Sequence, residues 1–275
     1  DRLTRLQARE EPKLFFMNHS RPLFIDEVQK ENSILEEIKL IVDSSDARGE
    51  FILSGSQKLE LMKGMSESLA GRISIVELAG LSLREIHGVQ FNRHFVPTEE
   101  YMQEREKEIV RYSDIWEIIH KGSYPELYDI DREWQGFYSS YVATVLERDI
   151  NELISANSLT FTKFMTAVAA RTGEMLNYAN IASEVGVSEP TIKSWISVLE
   201  RTGIVFVLQP YSASVLARAL KTPKIYFRDT GLACYLTRWL TAEALKNSAV
   251  AGNMFETFVI PCAHRLKHII FADAR

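Results

Sequence analysis

The sequence contains little cysteine and no long apolar run. Its two cysteines, Cys234 and Cys262, form no CxxC pair, and their spacing indicates neither a disulfide framework nor a zinc site. No apolar stretch approaches the roughly 18 residues expected of a membrane span. The N-terminal residues Asp1–Arg5 lack the apolar core of a signal peptide. A reduced, cytoplasmic protein without membrane contact is therefore expected.

A basic excess is also absent. The formal net charge is −5, so any contact with nucleic acid would have to come from a local basic patch rather than from the overall field. The remaining composition, 46% hydrophobic and 25% charged, is ordinary for a soluble globular protein. At roughly 150 residues per domain, a chain of 275 residues is long enough for two domains.

The stretch Pro22–Gln29 combines a short apolar run with two adjacent carboxylates. Leu23–Ile25 predicts a buried strand, and Asp26 and Glu27 follow it directly. Ligands of open α/β sheets bind at the carboxyl ends of strands. There Asp26 could help to hold Mg²⁺, which prefers oxygen ligands, and Glu27 could orient or deprotonate a water. The alternative is a core strand followed by a helix whose first turn favours acidic residues.

A helix and a second strand follow this stretch. Apolar residues at helical spacing predict a helix over Ser33–Asp43, and Phe51–Leu53 predicts a strand that runs into Ser54-Gly55-Ser56. Strand, helix and strand favour a parallel sheet, in which both polar ends lie at one edge. Ser54 or Ser56 could hold a water or a γ-phosphate oxygen there, although one of them could instead cap the next helix.

Flanking elements are predicted on both sides of this unit. An amphipathic helix is expected over Leu3–Phe16, and a third strand over Ile73–Leu78. Between the sheet and that strand lies an exposed arginine, Arg72. Its guanidinium could pair with phosphate oxygens, or it could be a surface ion-pair partner.

Three segments together resemble a prokaryotic family of predicted AAA-type ATPases: Leu23–Gln29, Phe51–Gln57 and Ser68–Arg72. In that family they correspond to a Walker B strand, a sensor strand and an "SLAGR" segment. The resemblance implies an α/β, AAA-like fold of the P-loop NTPase class with a parallel sheet. It also implies ATP and Mg²⁺ as cofactors, and it leaves room for an oligomer.

The resemblance assigns roles to individual side chains. Asp26 would be the magnesium aspartate and Glu27 the catalytic glutamate. Ser54 or Ser56 would be the polar sensor, and Arg72 a phosphate-sensing or finger arginine.

The P-loop of such ATPases has no match in this sequence. They hold phosphates with a GxxxxGK[ST] loop, and no such run occurs in the 275 residues. Two explanations stay open. The loop lies upstream of Asp1 in a longer protein, or the protein does not bind ATP in the usual way.

The middle of the chain is predicted to be mostly helical. A charged helix is expected over Glu99–Arg111, then a Gly/Pro turn at Gly122–Glu126, then a long helix over Trp134–Leu153. Gly122–Glu126 and Leu146–Ile150 are similar to the "GGYPE" turn and "LERDI" helix of the same family. By that resemblance this region corresponds to the lid of an AAA module.

A winged-helix domain is predicted next. Helices are expected over Phe161–Arg171, Asn177–Gly186 and from Ser188, as N-cap, to Arg201. Strands are expected over Ile204–Leu208 and Ile225–Phe227. Two helices joined by a short turn and followed by paired strands are typical of a winged helix.

The sequence allows two kinds of binding partner for this domain, DNA or a protein. The exposed face of its third helix offers Thr191, Lys193 and Ser194, but Glu189 and Glu200 cancel the charge. From Arg201 to Arg228 there are five basic residues, Lys221 and Lys224 among them, and no acidic one. Such a stretch could follow a phosphate backbone, whereas many winged helices bind proteins.

The last segments also resemble the ATPase family. Lys221–Leu232 is similar to its "KTPKxYFxDTGL" motif, in which Asp229 is expected to cap a helix. Gly252–Val259 resembles the start of a nuclease-like domain, with Glu256 as its first acid. His264 and His268, four residues apart, could bind a metal or simply lie on a solvated helix face.

The predicted division of the chain has four parts: residues 1–95 as an ATPase core without its P-loop, 96–155 as a helical lid or linker, 156–250 as the winged helix, and 251–275 as the truncated start of a nuclease-like domain. The predicted function is ATP binding and hydrolysis coupled to a winged helix that contacts DNA or a protein. The alternative is a non-hydrolysing DNA- or protein-binding regulator with a degenerate ATPase fold.

Overall fold

A computed structural model describes most of the chain: residues 2–31, 33–45, 47–55, 69, 71–76, 78–91, 93, 96, 98–110, 114–129, 132–144, 156–211 and 221–260. It is a mixed α/β structure that divides into two units, Asp1–Leu78 and Ala79–Arg275. This division is coarser than the four predicted segments, whose finer boundaries remain a prediction.

The first unit opens with two helices rather than one. Helix α1 spans Arg2–Glu10 and α2 spans Pro12–Met17. The single helix predicted over Leu3–Phe16 is therefore wrong. Pro12 has no N–H to donate to the preceding turn, but it is well suited to begin a helix, so the chain starts α2 there and buries Phe15 and Phe16.

A strand–helix–strand motif forms the centre of the first unit. Strand β1 (Leu23–Ile25) pairs in parallel with β2 (Phe51–Leu53), and α3 (Ser33–Asp43) connects them within the predicted bounds. The side of the sheet that packs on the unit's core carries four side chains, Leu23, Ile25, Phe51 and Leu53. Phe24 and Ile52, directly opposed in register, point the other way and are 61% and 58% exposed.

The third strand predicted for this unit does not form. Residues 73–76 and 78 adopt no regular structure, and Val76 and Leu78 are 80% and 93% exposed. A strand needs a neighbour that accepts and donates its backbone hydrogen bonds. Apolar composition alone, which predicted a strand over Ile73–Leu78, does not supply one.

The second unit begins with short helices: α4 (Leu83–Ile86), α5 (Glu99–Glu106), α6 (Ile115–Lys121), α7 (Glu126–Asp129) and α8 (Trp134–Tyr141). Helix α5 ends before the predicted Arg111. Gly122, with a φ of 88°, ends α6 as the predicted turn requires. Residues 142–144 continue α8 as a π-helical turn, and the rest of its predicted length, including Leu146–Ile150, lies outside the described residues.

Three helices and a small sheet follow: α9 (Ser158–Ala169), β3 (Glu174–Met175), α10 (Tyr178–Val185), α11 (Glu189–Arg201), β4 (Val205–Leu208) and β5 (Lys224–Phe227). The strands are antiparallel in the order β3-β5-β4. The predicted Ser188 cap and Gly186 helix end are confirmed. Helix α11 buries its stripe of Ile192, Trp195, Ile196 and Leu199 as predicted.

The second unit closes with α12 (Thr230–Leu236), α13 (Ala242–Lys246) and a helix over residues 251–260, here α14. Asp229 caps α12 as predicted. One hydrophobic core runs through this unit, from Ile119 in α6 to Met254 in α14. None of the helices in the described part of the chain is long and apolar enough to cross a bilayer.

Candidate functional site

The polar ends of the two parallel strands meet at one edge of the sheet. Ser54 follows β2, and its N–H donates to the carbonyl of Ile25, the last residue of β1, at 2.9 Å. The Ser54 hydroxyl donates to Oδ1 of Asp26, the first residue after β1. The carboxylate is solvent-exposed and its orientation is set by the neighbouring strand. Two candidate site residues 28 positions apart in sequence are thus in direct contact.

Glu27 lies beside this pair in an unusual backbone conformation. Its φ of 53° and ψ of 44° are left-handed, which costs a residue with a side chain about 1–2 kcal/mol. The next N–H, of Val28, donates to the Ser54 carbonyl at 3.0 Å and so holds the chain in place. The Glu27 carboxylate lies 3.4 Å from the Lys30 ammonium, in a partly exposed ion pair.

Arg72 contacts helix α3. Its Nε donates to the carboxylate of Asp43, the last residue of α3. A helix that connects two parallel strands runs back against them, and the 11 residues of α3 cover about 16 Å. Asp43 therefore lies at the end of α3 remote from Asp26. The described contacts join Asp26 to Ser54, with the backbone of Glu27 beside them, and they join Arg72 to Asp43. Ser56 lies outside the described residues.

The oxygen atoms at this edge of the sheet are of the type that a hard cation prefers as ligands. Asp26 and Ser54 supply a carboxylate and a hydroxyl oxygen, the ligand type that Mg²⁺ prefers, and Mg²⁺ usually takes only one or two protein carboxylates beside water and phosphate. Among the described residues no cluster of three or more His, Cys, Asp or Glu side chains could hold a metal ion. The edge is thus compatible with a metal that arrives with a phosphate.

The predicted nucleic-acid contacts on α11 are at the surface. Lys193 and Ser194 are exposed, whereas Thr191 is half-buried and its hydroxyl lies 2.7 Å from that of Ser188. The Lys193 ammonium is 2.7 Å from Glu189 and 5.4 Å from the centre of the Tyr178 ring. The acidic partner named from the sequence does therefore neutralise Lys193.

The two lysines near β5 differ in their surroundings. Lys221 is exposed. Lys224 donates to Glu256 Oε1 of α14 at 2.6 Å, and the Tyr226 hydroxyl donates to the same oxygen at 2.7 Å. These two hydrogen bonds lower the pKa of Glu256. Glu256 therefore belongs to the second unit, while His264 and His268 lie outside the described residues.

A buried carboxylate that the sequence marked only as a helix cap has several partners. Asp229 is 7% exposed and accepts from the Tyr138 hydroxyl at 2.7 Å and from the Leu232 N–H at 2.7 Å. The Ser123 N–H and hydroxyl donate to its other oxygen at 2.6 and 2.9 Å. Burial, then the charge of Asp229, raises the pKa of Tyr138. The "GSYPE" turn and the "DTGL" motif, noticed separately in the sequence, meet at this carboxylate.

Sequence reasoning also missed a cavity of about 650 Å³ in the second unit. Its walls include Lys121, Tyr128, Arg132, Leu240 and the stacked pair His120 and Trp134. The Nε2–H of His120 donates to the Trp239 carbonyl at 2.8 Å, and burial lowers the pKa of His120, so its ring is neutral near pH 7. No sequence motif marks this cavity, because its lining is gathered from several helices.

Comparisons with known proteins agree with the class of the first unit. Residues 1–87 match the family model of an AAA domain, which supports a nucleotide-binding, AAA-like class for this part of the chain. Residues 112–243 match the model of a domain of unknown function. Each match covers less than half of the chain.

Two mycobacterial proteins are similar over most of the chain. The uncharacterized proteins Mb2031c of Mycobacterium bovis and Rv2008c of Mycobacterium tuberculosis are each 26% identical over 253 residues. The alignments cover 91% of this chain and 52% of each relative, so the chain spans about half the length of the curated relatives it matches. No solved structure matches the chain.

Proposed function

We propose that the first unit carries the hydrolytic half of a magnesium–nucleotide site in an AAA-type ATPase. The observation that carries the proposal is the contact of Asp26 and Ser54 at the carboxyl ends of two parallel strands, with Glu27 adjacent. Ligands of open α/β sheets bind beyond such strand ends. The match of residues 1–87 to an AAA domain supports the same interpretation.

Each of the three residues has its own task in this proposal. Asp26 offers an oxygen to Mg²⁺, and the Ser54 hydroxyl fixes the direction of that carboxylate. The ion, when bound, would neutralise charge on the phosphates. Glu27 orients or deprotonates the attacking water. Its ion pair with Lys30 is 3.4 Å long and partly exposed, so the pair costs little to open.

Arg72 and Ser56 keep their predicted roles as proposals only. Arg72 contacts Asp43 at the end of α3 remote from Asp26. That location favours the finger role, toward a nucleotide held by a second copy of the chain, over a sensor role within one chain. Ser56 is proposed with Ser54 as a polar sensor.

The experiment is ATP turnover and nucleotide binding by the full-length gene product. Glu27→Gln is expected to lower turnover by about 10²–10⁴-fold and to leave the affinity for a fluorescent ATP analogue unchanged, because only the group that activates water is lost. Glu36→Gln, an exposed carboxylate on α3, is the matched control and should turn over normally. Undiminished turnover by Glu27→Gln would show that Glu27 is not the catalytic glutamate.

The competing function is a regulator that binds DNA or protein without hydrolysis. The observation in its favour is that no GxxxxGK[ST] run occurs in the 275 residues. It predicts no nucleotide binding by the full-length gene product. Saturable binding of the ATP analogue would exclude it.

We further propose that residues 156–250 form a winged helix that binds duplex DNA. Supporting this are the element order α9-β3-α10-α11-β4-β5 and the antiparallel sheet β3-β5-β4. The segment carries ten Lys and Arg residues against six Asp and Glu, although the whole chain has a net charge of −5. A local basic excess on an acidic protein is what phosphate contact requires. A protein partner for the same surface is the alternative.

Salt dependence tests the DNA proposal. Lys221→Ala should weaken binding to a mixed-sequence duplex and lower the slope of log K against log salt by about 0.9, since it removes one phosphate contact. Lys193→Ala should change the slope less, because Glu189 already pairs with that ammonium. Lys246→Ala, which breaks an ion pair with Asp114 on the same unit, is the control and should leave the slope unchanged. Absence of binding at about 50 mM salt would exclude DNA and favour a protein partner.

A further inference from the structure

The clearest unexplained contact on the proposed DNA-binding unit lies between β5 and α14. Lys224, one of the basic residues expected to meet phosphate, begins β5. Its ammonium donates to Glu256 Oε1 at 2.6 Å, and the Tyr226 hydroxyl donates to the same oxygen at 2.7 Å. The Lys224 ammonium, which a DNA phosphate would need as a partner, is therefore already paired with a carboxylate of the protein.

Glu256 is held in this position by the packing of its helix. Thr257, the next residue, is 1% exposed, and its hydroxyl lies 2.9 Å from that of Thr172. The Thr172 hydroxyl in turn accepts the N–H of Phe227, the last residue of β5, at 2.9 Å. Met254, on the same side of α14, is 2% exposed. Tyr226 is 1% exposed, so the second donor to Glu256 is fixed as well.

We propose that Glu256 competes with DNA phosphate for Lys224, so that helix α14 weakens DNA binding by this unit through a built-in ionic contact. The inference rests on the proposed DNA binding of residues 156–250. Carboxylate and phosphate oxygens are both anionic acceptors for one ammonium group, so the charge of Glu256 lowers the attraction of Lys224 for a phosphate.

The contact tunes affinity rather than abolishing it. The side chains of Lys224 and Glu256 are 38% and 37% exposed, so water screens their attraction and the pair opens at small cost. Removing the competing charge is therefore expected to tighten DNA binding by about 2- to 5-fold. One additional phosphate contact should also steepen the slope of log K against log salt by about 0.9.

The test is fluorescence polarisation with the whole chain and a labelled mixed-sequence duplex, from about 50 to about 200 mM salt. Glu256→Gln keeps an oxygen for Lys224 and Tyr226 to donate to, so the fold is preserved while the charge is lost. Glu243→Gln, which removes an exposed charge from α13 of the same unit, is the control for net charge. Glu256→Gln combined with Lys224→Gln tests whether the gain acts through the lysine.

Three outcomes are distinguishable. A tighter, more salt-sensitive Glu256→Gln variant whose gain disappears in the double variant supports the competition. Equal behaviour of Glu256→Gln and Glu243→Gln overturns it and leaves the proposed DNA binding intact. No binding by any form at low salt overturns the proposed DNA binding, and the competition with it.

Discussion

At the scale of single residues, the backbone of Glu27 is the feature that most needs an explanation. A left-handed conformation is unfavourable for glutamate, and strained residues of this kind concentrate at functional sites. The hydrogen bond from Val28 to the Ser54 carbonyl keeps the strain in place. Glu27 is therefore both the residue proposed to activate water and the residue with the unfavourable backbone conformation.

This strain predicts a reversed ranking of glycine and alanine. Glu27→Gly should be more stable than Glu27→Ala by about 1 kcal/mol, because glycine adopts the left-handed region freely. At Glu36, inside α3, Gly should be less stable than Ala by about 1 kcal/mol, because glycine weakens a helix.

The measurement is hydrogen exchange of the α3 amides by mass spectrometry. Tryptophan fluorescence would not report the unfolding of the first unit, since all four tryptophans lie in the second unit. The same Gly/Ala order at both positions would contradict the left-handed conformation at Glu27.

At the scale of elements, the sequence predicted best those helices that a local pattern marks. Helix α3, predicted from the spacing of its apolar residues, has the predicted bounds, and α11 begins after its Ser188 cap. The failures are a helix and a strand. Pro12 divides the first predicted helix, and the described residues 73–76 and 78 of the predicted strand are apolar in part but pair with no strand. Capping is local information, whereas strand pairing depends on segments far away in sequence.

In the candidate site, too, some features could be predicted from the sequence and others depend on tertiary contacts. The contact of Asp26 with Ser54 was foreseeable, because parallel strands bring their carboxyl ends to one edge. The left-handed Glu27 and the Arg72–Asp43 pair were not, because both depend on tertiary contacts that leave no pattern in the sequence.

At the scale of the whole molecule, the second unit contains two segments, 96–155 and 156–250, that were predicted from the sequence as separate parts. The match to a domain of unknown function covers residues 112–243 and crosses the predicted boundary between 155 and 156. Asp229 supplies a physical tie across that boundary, since it accepts from Ser123 and Tyr138 on one side and caps α12 on the other. A buried carboxylate with four donors is costly to disturb.

Asp229 therefore predicts how the second unit unfolds. Asp229→Asn places an amide N–H₂ against the two Ser123 donors, which should lower the free energy of unfolding by about 2–4 kcal/mol. If the unit is cooperative, hydrogen exchange of α8 and α11 should accelerate together and by the same factor. Asp129→Asn, an exposed position in α7, should change stability by no more than about 0.5 kcal/mol. Accelerated exchange of α8 with unchanged exchange of α11 would instead establish two independent modules, as the boundary at 155 predicts.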